Sequence, residues 1–138
     1  MELKEIVGYL PYGLSVKHDN GWIEEIVAIG YDRTSDGYIE TENFSRPLEE
    51  FKPILHPLSD LTKPITVGGY NDGKEFIPSE EIWRYGEYCI KSEDIKNIMA
   101  YPLNVELWQA QLLYQWHFDI HGLIERGEAI DINTLEKP

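Results

Sequence analysis

The spacing of apolar residues changes period several times along the chain. Leu3, Ile6, Val7 and Leu10 recur at helical intervals. This predicts a short amphipathic helix over 3–10, ended by Pro11 because proline disfavours a helical residue before it. After Gly13 the period becomes two: Leu14 and Val16 alternate with Ser15 and Lys17, and Asp19-Asn20-Gly21 supplies the positive φ angles of a tight hairpin turn. Trp22 to Tyr31 is rich in β-branched and aromatic residues and reads as the return strand.

Turn signals at Asp36-Gly37 and Asn71-Asp72-Gly73 lie beside two short strand patterns, Tyr38-Ile39-Glu40 and Glu75-Phe76-Ile77. Prolines at 47, 53, 57, 64 and 78 interrupt the middle of the chain. Lys52 to Thr66 is therefore expected to be an extended or irregular crossing segment with at most one helical turn. Ser79-Glu80-Glu81 and Ser92-Glu93-Asp94 each place a capping hydroxyl before acids, which predicts short helices over 80–85 and 93–99.

The clearest helical pattern is C-terminal. Asn104 can cap it, and Trp108, Leu112, Trp116, Ile120, Leu123 and Ile124 recur at spacings of three and four. Gly127 is its natural stop, and Gly122 is a point where it can kink. Ala129-Ile130-Asp131-Ile132 alternates as a strand would. The predicted fold class is α+β: a small antiparallel sheet of four or five short strands, seeded by the hairpin from Leu14 to Tyr31, packed against a long C-terminal helix kinked near Gly122. With 138 residues, 42% of them apolar, and no repeat or linker, the chain reads as a single domain over 1–138.

Charge narrows the range of partners. Twenty-five carboxylates against twelve Lys and Arg give a formal charge of −13, a field that repels phosphate backbones and anionic headgroups. Direct nucleic-acid and membrane-surface binding are disfavoured. The expected partner is a protein, basic or itself DNA-binding; the plainer alternative is a solvated surface that keeps the chain in solution. One cysteine, Cys89, allows no internal disulfide, and the chain shows no leader pattern and no run of ~18 apolar residues. A cytoplasmic location is expected.

Candidate chemistry is sparse. His117 and His121, four apart, would share one face of a continuous helix and could chelate a metal there. Asp119 lies between them, and a further ligand would have to come from the middle segment, for example His56 or Asp60. No HExxH or cysteine pair supplies one, and neither GxGxxG nor a P-loop is present, so no cofactor is expected. His18 and His56 stand isolated in the sequence. The structural alternative is that His117 and His121 hydrogen-bond near the helix end. Trp108 and Trp116 follow the core stripe, whereas Tyr9, Tyr12 and Tyr70 fall in loop-like segments and are the candidate interaction surface. A non-enzymatic protein-binding role is favoured over a metal-binding or hydrolytic one.

Three segments carry a resemblance: Tyr9-Leu-Pro-Tyr-Gly-Leu14, Ile54-Leu-His-Pro-Leu-Ser-Asp-Leu-Thr-Lys63, and the stretch from Trp116 to Asn133. Together they resemble a family of short proteins of Bacteroides-type bacteria and their phages or prophages that has no assigned activity. The resemblance implies an accessory protein of a mobile element. It also implies that an aromatic residue usually stands at the position of His121, which weakens the histidine pair as a metal site.

Overall fold

The computed structural model describes residues 1–32, 35–85 and 107–135. They fall into two units, one of Met1–Leu55 with Gly122–Pro138 and one of His56–His121.

The first unit is built on a sheet of six strands: β1 (Ser15–His18), β2 (Ile23–Asp32), β3 (Ser35–Thr41), β4 (Ser45–Pro47), β5 (Phe51–Leu55) and β6 (Ile130–Asp131), in the order β4-β3-β2-β1-β5-β6. β1 and β2 pair across the Asp19-Asn20-Gly21 turn, and all neighbours are antiparallel except β5 and β6. The sheet is therefore mixed, where an antiparallel one was expected. Alternation along β1 and β5 sends Leu14, Val16, Phe51 and Leu55 into the core beside Ile6, Tyr9, Ile39 and Leu48.

A register shift in β2 between Ile26 and Ala28 corrects an otherwise awkward spacing. Ile26 opposes the buried Thr41 and Ile29 opposes the buried Ile39, so two isoleucines an odd number of positions apart meet residues of one face. The extra residue in that shift, Val27, is left in solvent.

The segment over 52–66 is more ordered than its prolines suggest, since it contains β5 and a 3-10 turn at Leu58–Thr62. Pro53 opposes Val16 of β1, and β6 pairs only from Ile54 onward. At Pro53 the strand thus has one neighbour and behaves as an edge, where a missing N–H is tolerated. The predicted N-terminal helix is replaced by two 3-10 segments, Leu3–Glu5 and Val7–Tyr12, the second carrying Pro11. Arg126 closes this end by donating two hydrogen bonds to Glu5, at 2.9 and 3.0 Å.

The second unit holds α1 (Pro78–Tyr85) and α2 (Leu107–Gln115). Proline at its first position and Glu80 and Glu81 in the first turn suit the start of α1. The predicted helix over 93–99 and Cys89 lie outside the described residues. Leu61, Ile65, Val67, Phe76, Ile82, Leu113, Trp116, Phe118 and Ile120 form the core of this unit.

The long C-terminal helix is corrected by the structure: the longest helix among the described residues is α2, nine residues ending at Gln115. Its end is built by His117, which takes the left-handed conformation (φ +62°). The Phe118 N–H donates to Leu113 O at 2.9 Å and the His117 N–H to Tyr114 O at 3.0 Å. This is the paired bonding of a Schellman cap, usually built on glycine, with Phe118 and Leu113 both buried as its apolar contact. Ile120, Leu123 and Ile124, which continue the helical spacing, lie beyond that cap in turn structure.

Candidate functional site

The turn over 18–22 is held by its own backbone and by the Asn20 side chain. His18 N–H donates to Trp22 O at 2.8 Å, Gly21 N–H to His18 O at 2.8 Å, and Trp22 N–H to the Asn20 side-chain oxygen at 2.9 Å. Gly21 supplies the positive φ of +94°. Asp19 N–H donates to Glu50 O at 3.0 Å, which ties the turn to the 3-10 segment Leu48–Glu50. Beneath it the rings of His18 and Phe44 stack with centroids 4.6 Å apart, and Trp22 meets Phe44 edge-on at 5.8 Å. His18 Nε2 shares a hydrogen bond with Glu50 Oε1 at 3.3 Å.

This framework presents apolar surface to water. Trp22, just before β2, is 57% exposed, and within the first half of the strand Ile23 is 49% and Val27 61% exposed. Glu25 lies exposed between the two aliphatic residues, and Glu40 of β3 is exposed as well. Lys17 opposes both Ile23 and Lys52, so cations border the patch on its β1 side. Glu24 is engaged, accepting hydrogen bonds from the Thr41 hydroxyl at 2.8 Å and from Asn43. Sequence reading assigned this strand but not its exposure. The signal was present only in part, because Ile23, Val27 and Ile29 share one phase of the strand and Ile26 takes the other, and a half-buried strand needs only one apolar phase.

In the second unit His56 and Asp60 form a buried pair, with Nδ1 3.2 Å from Oδ2. The 3-10 turn at Leu58–Thr62 brings Asp60 back under the imidazole, and Lys63 Nζ stands 3.7 Å from its other oxygen. The His56 backbone is joined to the segment after the cap of α2: its N–H donates to His117 O at 2.8 Å, and its carbonyl accepts from Asp119 N–H at 2.9 Å. A carboxylate beside Nδ1 favours the proton on that nitrogen and holds the ring in place. Among the described residues no hydroxyl or thiol hydrogen-bonds to His56.

The expected histidine pair loses its geometric premise. His117 sits at the cap with positive φ, and His121 lies beyond the helix with Nε2 3.0 Å from the Tyr114 hydroxyl. The two do not share a helix face. Burial pushes the Tyr114 phenol above its ordinary pKa. Asp119 is buried beside His56 along the backbone. Among the described residues no three His, Cys, Asp or Glu side chains converge so as to hold a metal ion.

Of the three tyrosines expected at the surface, Tyr9 is corrected to the core at 0% exposure. Tyr12 and Tyr70 are half-buried. The Tyr70 hydroxyl donates to Glu81 at 2.9 Å, and its ring packs on Phe76 and Trp116. No helix among the described residues is long and apolar enough to cross a membrane. Comparisons with protein-family models, curated proteins and solved structures return no match.

Proposed function

We propose that this protein is a non-enzymatic binding module, an accessory factor of a mobile element acting inside the cell, that takes a basic protein partner on its acidic surface. The observation that supports this reading is a conjunction: a charge of −13 together with the exposure of Trp22 in the turn before β2 and of Ile23 and Val27 on it. Long-range charge steers a basic partner toward the chain, and exposed aromatic and aliphatic groups hold it once it arrives. The same charge disfavours nucleic acid and anionic lipid as direct ligands.

The test is capture from a nuclease-treated lysate of the source cell, followed by reconstitution with the purified captured protein. The expected result is a direct complex with a basic protein that dissociates above ~0.5 M salt. A reconstituted complex indifferent to salt, or none at all, would overturn the reading.

A further inference from the structure

Resting on that reading, we infer that the exposed indole of Trp22 is the docking point for an arginine side chain of the basic partner. Trp22 is more than half in solvent, yet its backbone is pinned by the Asn20 side chain and by the His18–Trp22 hydrogen bond, and its ring meets Phe44 at a right angle. A rigid, exposed aromatic contributes contact area at little entropic cost. Lys17 and Lys52 lie on the β1 side of Ile23, whereas the turn that carries Trp22 and the segment tied to it carry carboxylates that favour a cation. Asp19, in the same turn, and Glu49, in the 3-10 segment to which that turn is tied, are exposed, and their carboxylates make no hydrogen bond or ion pair with a described residue.

A planar cation suits both features, because a guanidinium stacks on an indole face while its edge donates to carboxylates. Arginine is favoured over lysine, whose compact ammonium is more strongly hydrated and does not stack. A second copy of this chain is the disfavoured occupant, since each copy carries the same charge of −13.

The test is calorimetric titration of the full chain with two synthetic peptides of equal length and charge, one bearing arginine and one lysine. The arginine peptide is expected to bind more tightly, and Trp22→Ala to weaken it about two- to five-fold while leaving the lysine peptide unchanged. Because Trp22 also packs on Phe44, a second readout uses the unaltered chain: the Trp22 indole N–H resonance is expected to shift on adding the arginine peptide, and that of buried Trp116 to stay. An immobile Trp22 resonance, or equal arginine-peptide affinity in Trp22→Ala, overturns the inference and leaves the acidic-surface reading standing. Failure of both peptides to bind the unaltered chain at low salt overturns both.

Discussion

Tyr38 occupies the space that a side chain at Gly30 would need: the two residues oppose each other in the β2–β3 ladder, and a Cβ at position 30 would stand 2.2 Å from the Tyr38 ring. Glycine is required there by close approach rather than by its own torsion angles. Gly30→Ala is expected to lower stability by about 1–3 kcal/mol, the cost of overpacking. Adding Tyr38→Ala should recover part of that loss. Additive effects in denaturant unfolding of the four chains of this cycle would refute the contact.

At the end of α2 the conflict is in the backbone. His117 holds a positive φ in which residues with a Cβ are strained by about 1–2 kcal/mol. His117→Gly is therefore expected to raise stability by about 0.5–1 kcal/mol, and His117→Val to lower it. A destabilised glycine variant would mean that the imidazole contributes more than its backbone conformation costs.

The His56–Asp60 pair is buried, so removing the imidazole takes a hydrogen bond from a buried carboxylate. His56→Ala is expected to cost about 1–3 kcal/mol, and an Asp60→Asn partner change to be non-additive with it. Hydrogen exchange offers a local check. The Asp119 amide, which donates to the His56 carbonyl, should exchange faster in His56→Ala than in the unaltered chain.

Trp116 is fully buried against Phe76 and Tyr70, but its indole N–H has no acceptor among the described residues. Trp116→Ala is expected to cost about 3–5 kcal/mol. Trp116→Phe keeps a ring and removes the unsatisfied donor, so its cost should be less than half as large. Equal melting temperatures for the alanine variant and the unaltered chain would overturn this account of the core.

Glu128 links stability to pH. Its hydrogen bond from the N-terminal ammonium, and then that from Arg126, hold its carboxyl below the ordinary value. A carboxyl lowered on folding stabilises above its unfolded pKa and loses that contribution as pH falls through its folded one. Glu128→Gln should therefore melt below the unaltered chain at neutral pH, with the gap closing as pH drops below about 4. A gap that widens in acid would reverse the sign of the argument.

Legibility in the sequence follows the range of the interaction. The β1–β2 hairpin is legible because Asp19-Asn20-Gly21 and the flanking alternation are local. β6 pairs with β5 across residues far apart in the chain, and Pro53 disguises β5, so neither the parallel pair nor the mixed sheet shows in any short window. The helix end is hidden for a different reason. Left-handed caps are ordinarily marked by glycine, and here the residue is His117, while the conspicuous Gly122 lies several residues beyond. Of the candidate site, the charge is legible at once. The exposure of Val27 follows from the register shift, which lets Ile26 and Ile29 meet one face of β3 and leaves Val27 as the extra residue.

The first unit is discontinuous in the chain, with residues 56–121 inserted between β5 and the segment that carries β6 and Arg126. On a ribosome adding ~5–20 residues per second, that insertion takes roughly 3 to 13 s to synthesise. Throughout that interval β5 lacks its parallel neighbour and Glu5 lacks the guanidinium that neutralises it. The nascent hairpin sheet has one edge open until the segment that carries β6 has been synthesised. Early truncation products would expose that edge, making them the species most in need of a chaperone.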